Sequence, residues 1–478
     1  MYVNILGYGV TNKALVTLLN KQNITCHIYD DKYKNDEIDL MGNTCQSFKK
    51  IATLQEINPH GDTNLAIISP GIQPDSAFLS YFKNIISEYD FIFHIAKGIY
   101  SIWVSGTNGK TTTTEMLSCM LNAKSGGNIG IPLATLFMQD YMCDTIQTPI
   151  DIKHFQHHKR MSENYKVYDV PSMKDCNALW VLETSSFSLH YTYYALPNIY
   201  ILLPLSQDHI SWHGGFEAYI ADKLKPLQYM NYATDSKKHY ALIPRELMQY
   251  EVAKNIITST KANVMLYTDS RDLYAYLQCE KKYFDYFKEP FKLDFMVAAS
   301  GMHFGNVAFD IDNILEYKIG AYRMEEHKKH GLLFINDSKA TNPHAVLSAL
   351  YTYRHHRIYL ILGGDSKGAK MDMLYPFLQE NKVKVFSIGR DGAMIASECR
   401  ANDIWVKECF TLDNAMESIY SVLCNDYTLD SINDMDKHCD DSNRPIVMLS
   451  PACASLDQYS SYKERGDKFN ELMEKIFE

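Results

Sequence analysis

The chain has 478 residues, 46% of them hydrophobic and 22% charged, with 57 acidic against 47 basic side chains and a formal net charge of −10. That is enough for roughly three domains of about 150 residues each, and it excludes a disordered, collagenous or coiled-coil chain. The acidic balance argues against a general nucleic-acid binder, which carries a basic stripe.

No apolar run approaches the roughly 18 residues that span a bilayer, so no membrane insertion is expected. Residues 1–9 lack the basic segment and long apolar stretch of a secretion signal. The eleven cysteines are scattered without a repeated CxxC, which indicates neither a disulfide framework nor a zinc site. The expectation is a soluble cytoplasmic protein with reduced thiols.

In chain order, Tyr2–Leu6 reads as a strand, Gly7 to Asn12 as a turn, and Lys13–Asn20 as a helix. Ile24–Tyr29 is the next strand, closed by Asp30 and Asp31, and Leu65–Ser69 with Pro70-Gly71 is a later strand and its loop. This βαβ pattern is similar to a Rossmann fingerprint, with Asn12 standing where the third glycine would be. It fits either a plain strand-to-helix turn or a nucleotide site. Asp30 lies 30 − 7 = 23 residues after Gly7, a spacing that suits a ribose or uracil contact.

A second unit starts with the strand Ile102–Val104. A helix whose Met116, Leu117, Met120 and Leu121 form a buried stripe follows it. Residues 140–177, with His154, His157 and His158, read as an inserted polar loop. Ala178–Leu182 and Ile199–Leu205 are further strands. A third series, Leu332–Ile335, Ile358–Leu362, Val383–Ile388 and Ile446–Leu449, begins after Gly320, with 425–443 as another insertion. Three successive α/β units are expected: 1–98 Rossmann-like, 99–320 a P-loop-type ATPase domain, and 321–478 again Rossmann-like.

The loop Ser105-Gly106-Thr107-Asn108-Gly109-Lys110-Thr111 carries the strongest chemical signal. Between a buried strand and a helix start, its N–H groups and the helix dipole point at phosphate. Lys110 suits β and γ oxygens, and the Thr111 hydroxyl suits magnesium. A strict P-loop would have glycine where Val104 stands. The loop predicts a nucleoside triphosphate site.

The hexapeptide Gly106 to Thr111 resembles the ATP loop of the Mur ligase superfamily, and the resemblance continues in order. Gly127-Asn128-Ile129-Gly130-Ile131-Pro132, Glu183-Thr184-Ser185-Ser186-Phe187, Asp208-His209 and Ala221-Asp222-Lys223-Leu224 resemble its later motifs. Asn336 to Asn342, Gly363 to Lys367, and Ser450 to Tyr459 with Lys463 to Asp467 are similar to its D-glutamate-adding branch.

The resemblance implies ATP contacts at Gly106, Thr107, Asn108, Gly109, Lys110, Thr111, Thr112, Asn128, Asn306, Arg323 and Asp337. It implies catalytic roles for Lys110, Glu183, His209 and Lys223, and two magnesium ions held by Thr111, Glu183, His209 and a carbamylated Lys223. D-Glutamate would meet Thr341, Lys367, Ser455 and Tyr462. The UDP-substrate would meet Gly9, Thr11, Asp30, Ser69 and Gly71.

Departures from the family pattern are Phe304 in Gly301 to Asn306, Tyr322 before Arg323, Lys32 after the strand-end acids, and Tyr462. The implied partners are ATP, D-glutamate and UDP-N-acetylmuramoyl-L-alanine, and the chain is expected to act as a monomer. The implied reaction forms an acyl phosphate that the amino-acid amine attacks. A sibling ligase using another amino acid, or an ATP-binding regulator without catalysis, are the alternatives. No Asp-Asn-Pro-Arg segment of the diamino-acid branch is present.

Overall fold

The computed structural model describes residues 2–49, 51, 65–82, 84–128, 130–141, 167–426 and 444–477. Its strands sort into three six-stranded sheets. The first has the order β3-β4-β2-β1-β5-β6, built from β1 (Tyr2–Leu6), β2 (Thr25–Tyr29), β3 (Glu37–Ile38), β4 (Thr44–Gln46), β5 (Leu65–Ile68) and β6 (Asn84–Ile86). All its pairings are parallel except β3 with β4.

The second sheet is entirely parallel, in the order β12-β11-β10-β7-β9-β8. Its strands are β7 (Ile99–Ser105), β8 (Lys124–Gly127), β9 (Ala178–Glu183), β10 (Ile199–Leu202), β11 (Tyr240–Pro244) and β12 (Asn263–Tyr267). The third runs β13-β14-β18-β15-β16-β17. It consists of β13 (Glu325–Lys329), β14 (Leu332–Asn336), β15 (Ile358–Gly363), β16 (Lys384–Ile388), β17 (Val406–Phe410) and β18 (Ile446–Leu449), with only β13 antiparallel.

The chain divides into two compact units, Met1–Phe287 with Phe291–Tyr317, and Lys288–Pro290 with Lys318–Glu478. In the first unit the first two sheets contribute to one apolar cluster, from Val3, Ile5 and Leu15 through to Trp103, Leu182 and Leu202. The helix α2 (Glu88–Ile95) is central to it. Its Tyr89 and Phe93 meet Trp103 edge-on at 4.9 and 5.7 Å. Its two buried acids reach backbone amides: Glu88 accepts from Ala134 N–H on α4 (Leu133–Tyr141), and Asp90 from Tyr193, Tyr194 and Ala195.

In the second unit the pleat of β15 sends Ile358, Leu360 and Leu362 into one core and Tyr359 and Ile361 into another.

Strand positions follow the apolar runs, most ends falling within one residue of expectation and two displaced by three, and the first helix begins at Val10 rather than Lys13. β7 begins at Ile99 rather than Ile102, because Ser101, a polar break in the pattern, is buried and its N–H donates to Asn198 Oδ1. β10 ends at Leu202 rather than Leu205, since the chain turns at Pro204, whose carbonyl accepts from Thr107 N–H. The expected insertions lie largely outside the described residues, 142–166 with all three histidines and 427–443 wholly so. Among the described residues, no helix is long and apolar enough to cross a membrane.

Candidate nucleotide and amino-acid sites

β7 is the middle strand of three, between β10 and β9, and the glycine loop leaves its carboxyl end. That is where open parallel sheets place ligands. Gly106 takes φ +147°, and a Cβ there would stand 2.5 Å from the Leu203 Cβ. Gly109, at φ +80°, caps the amino end of α3 (Lys110–Leu121), and a Cβ would collide with the Asp294 carboxylate. Side chains are thus excluded where the loop must bring its amides forward.

Lys110 Nζ donates to the Gly106 and Thr107 carbonyls at 3.0 and 2.7 Å. Burial lowers its pKa, opposed by the carboxylates of Glu183, Asp208 and Asp294. Thr107 Oγ1 lies 2.9 Å from Tyr219 OH. Asn108 is exposed at the loop tip and Thr112 is buried behind it.

Glu183, at the end of β9, is buried, and its two oxygens accept from Thr111 Oγ1 at 2.8 Å and Asn128 Nδ2 at 2.9 Å. Three sequence motifs therefore meet at one carboxylate. Lys223, on α7 (Phe216–Tyr229), is 2% exposed, and its Nζ donates to Ser105 Oγ and the Gly106 carbonyl, both at 3.0 Å. Burial and the neighbouring Lys110 push its pKa well below the ordinary lysine value, which favours the neutral amine. His209 begins α6 (Ile210–His213) at φ +53°, with its ring 4.6 Å from that of Phe187.

Asn306 is not brought to this loop. The helix Phe291–Phe304 packs Gly301 on Ile201 and Gly305 on Ile199, so its carboxyl end descends toward the start of β10. Asp294 in its first turn faces Gly109 instead. Phe304, where the helix ends just before Asn306, is ten residues after Asp294, about 15 Å along the helix at 1.5 Å per residue. The two glycines serve helix-on-strand packing. Asp294, a carboxylate in an otherwise apolar run, was the signal that sequence reasoning passed over.

The first sheet forms its own turn. Gly7, at φ +79°, lies against Ser69, where a Cβ would come within 2.7 Å of the Ser69 Cβ. Asp30 accepts from the N–H of Tyr8 at 2.6 Å and of Lys32 at 3.0 Å. Asn12 is buried and its amide donates to the Leu6 and Gly7 carbonyls, fastening the turn where the fingerprint would have glycine. Gly9 caps α1 (Val10–Lys21), Thr11 sits in its first turn, and Gly71 faces open space. Gly9, Asp30 and Ser69 are thus gathered at the carboxyl ends of β1, β2 and β5.

In the second unit the last motifs converge. Asp365 and Ala454 exchange both backbone hydrogen bonds at 2.9–3.0 Å. Arg465, 1% exposed, donates to the hydroxyl and carbonyl of Ser338 and to the Cys453 carbonyl. Burial lowers its pKa to about 10. Lys339 Nζ lies 5.6 Å over the Tyr462 ring, whose backbone carbonyl accepts from Ser338 Oγ.

Ser455 is buried beside Ala454, whereas Thr341 and Lys367 are exposed on their loops, the latter at φ +50°. Asp337 is buried and accepts from Ser450 Oγ at 2.7 Å and Met324 N–H at 3.2 Å. Burial raises its pKa to about 7 against those donors and Arg323. Tyr322, preceding Arg323, donates to Asp467 and lies where a Cβ on Gly466 would be.

A parallel sheet with a glycine loop, Lys110 and a buried carboxylate at its strand ends defines a P-loop-type nucleotide-binding protein. Residues 104–304 match the Mur ligase middle domain, and residues 322–428 match the Mur ligase glutamate ligase domain. Curated relatives named UDP-N-acetylmuramoylalanine--D-glutamate ligase match along the whole chain. The one from Helicobacter pylori (strain ATCC 700392 / 26695) is 34% identical over 98% of both chains. That of Campylobacter jejuni subsp. jejuni serotype O:23/36 is 34% identical over 100% of both. A solved MurF ligase from Thermotoga maritima, in complex with ADP, aligns over 86% of this chain and 88% of its own, at 15% identity and a TM-score of 0.45. The chain belongs to the Mur ligase family.

Proposed function

We propose that this chain joins D-glutamate to UDP-N-acetylmuramoyl-L-alanine with ATP as cosubstrate, in the cytoplasmic synthesis of peptidoglycan precursor. The observation that carries the reading is the full-length match to ligases of that name. The meeting of Thr111, Asn128 and Glu183 beside Lys110 supports it.

In this reading residues 1–98 hold the UDP-substrate, with Gly9, Thr11, Asp30, Ser69 and Gly71 at the turn. Residues 99–320 hold ATP on the loop from Gly106 to Thr112. Residues 321–478 supply Thr341, Lys367, Ser455 and Tyr462 for D-glutamate, and Arg323 and Asp337 are its residues assigned to ATP.

The oxygen donors Thr111 and Glu183, with His209 and a carbamylated Lys223, fit magnesium, which takes oxygen ligands and keeps much of its water. Bound there, magnesium ions would neutralise phosphate charge. Carbamylation needs a free amine, and burial of Lys223 favours that form.

The protein's own task is mainly positioning, because the substrate carboxylate, the triphosphate and D-glutamate are all anionic. Loop amides and Lys110 hold the γ-phosphate while the substrate carboxylate attacks it; the bond to the β-phosphate oxygen breaks, ADP leaves and an acyl phosphate forms. The D-glutamate amine then attacks the acyl carbon, and phosphate leaves. Buried Ser455 and exposed Lys367 orient the amino acid by its carboxylates.

The test is phosphate release with ATP, magnesium and UDP-N-acetylmuramoyl-L-alanine, comparing D-glutamate, L-glutamate and a diamino acid. Release with D-glutamate alone is expected, with a product one glutamyl unit heavier. Release with another amino acid instead would move the chain to a sibling activity.

A further inference from the structure

A closed ring of hydrogen bonds lies behind the candidate metal ligands. Asp222 accepts from His190 Nδ1, which lies 2.9 Å from both of its oxygens, and from His213 Nδ1 at 2.7 Å through Oδ2. The far nitrogen of His213, Nε2, lies 3.0 Å from Ser186 Oγ. Ser186 and His190 are four residues apart on α5 (Ser186–His190), one turn of helix. The ring therefore runs α5, α7, α6 and back to α5. With His213 Nδ1 donating to Asp222, a neutral imidazole must accept at Nε2, so Ser186 is the donor there.

The order Ser–His–Asp is that of a hydrolase triad, yet the Ser186 and His213 side chains are buried. No acyl group could reach them. What the ring can do is brace. α5 has five residues and α6 four, far below the length at which a helix is stable by itself. Each carries or adjoins a candidate ligand: Glu183 lies three residues before α5, and His209 is the residue from which α6 starts. His213, four residues after His209, is the buried anchor of α6, and Asp222 immediately precedes Lys223. Around the ring, Phe187 lies tilted at 4.6 Å from both His209 and Trp212, and Trp212 lies edge-on to His190 at 5.3 Å.

We propose that Asp222 is a positioning residue for the ligase site: by accepting from His190 and His213 together it fixes the mutual spacing of Glu183, His209 and Lys223. This rests on the ligase reading for the identity of those three groups. Partners of metal ligands commonly carry 10–100-fold of metal affinity, and that is the scale expected here.

The experiment measures binding of Mn2+ as a magnesium substitute, by electron paramagnetic resonance with ADP present, in the full chain. Asp222→Asn and Asp222→Ala are expected to weaken Mn2+ about 10-fold or more. The KM for the UDP-substrate should stay unchanged while kcat falls. Asp222→Ala with His213→Ala should cost no more than Asp222→Ala alone, because residues acting as a unit are not additive.

His190→Gln, at the more exposed end of the ring, provides a variant that leaves the buried part intact and should weaken Mn2+ in the same direction. Wild-type Mn2+ affinity in folded Asp222→Asn and His190→Gln would overturn the proposal. A wild-type protein that bound Mn2+ but released no phosphate with D-glutamate would sink the ligase reading instead, leaving the Mn2+ comparison to decide the role of Asp222.

Discussion

Lys110 stands at the point where the loop's geometry becomes chemistry. Its ammonium satisfies two loop carbonyls, Gly106 and Thr107, and lies within the field of Glu183, Asp208 and Asp294. Lys110→Ala removes the one cation of the loop segment. Loss of a single preorganised charge of this kind costs roughly 100-fold or more in rate. Phosphate release by Lys110→Ala is expected to fall at least that far while circular dichroism shows a folded chain; turnover near the wild-type rate would remove Lys110 from the mechanism.

Much at this scale was legible in the sequence, since Lys110, Thr111, Asn128 and Glu183 sit in ordered motifs and the structure assembles them. Asp294 marks the limit. A helix can present either end to a site, and only the packing of Gly301 and Gly305 against β10 shows which end meets the loop. The His190–Asp222–His213 ring was equally invisible, because its members belong to three elements whose mutual packing no local pattern encodes.

At the scale of elements, α2 joins parts of the chain far apart in sequence by burying two carboxylates. Burial raises Glu88 to about 8 and Asp90 to about 6, against backbone N–H donors that favour the anions. Both folded values exceed the ordinary ones, so the native state binds more protons than the unfolded state in between. The stability they contribute is full below about pH 4 and is lost as pH rises, by about 6 for Asp90 and about 8 for Glu88, at about 1.4 kcal/mol per unit of pKa difference. Urea unfolding of the wild type should therefore show a component that declines from pH 5 to pH 8. Glu88→Gln keeps an acceptor for Ala134 N–H and removes the titration, so its decline should be shallower. An identical slope in both proteins would show that Glu88 does not carry it.

These elements were read from apolar periodicity with small errors at their ends, and the errors have local causes. A buried serine extended β7 beyond its apolar run, and Pro204 ended β10 early. What periodicity could not supply was the strand order, which is set by packing across each sheet rather than along the chain.

For the molecule as a whole, the two compact units each have a complete apolar core of their own. Multidomain chains of this kind need not unfold in one step, and calorimetry is expected to resolve two transitions. Core truncations identify them: Trp103→Ala should lower only the transition of the first unit, and Leu360→Ala only that of the second, each by a few kcal/mol of lost packing. The proposed division of ligands then makes a separable claim. A ligand at 100 times its Kd stabilises the state it binds by about 2.7 kcal/mol, which corresponds to roughly 5–11 °C for a unit of 150–250 residues. Magnesium-ADP should raise the transition tagged by Trp103→Ala, because residues 105–111 lie in that unit. D-Glutamate should raise the one tagged by Leu360→Ala, because Lys367 and Ser455 lie in the other. A D-glutamate shift confined to the first unit would move the amino-acid site away from Lys367 and Ser455 while leaving the nucleotide loop where it stands.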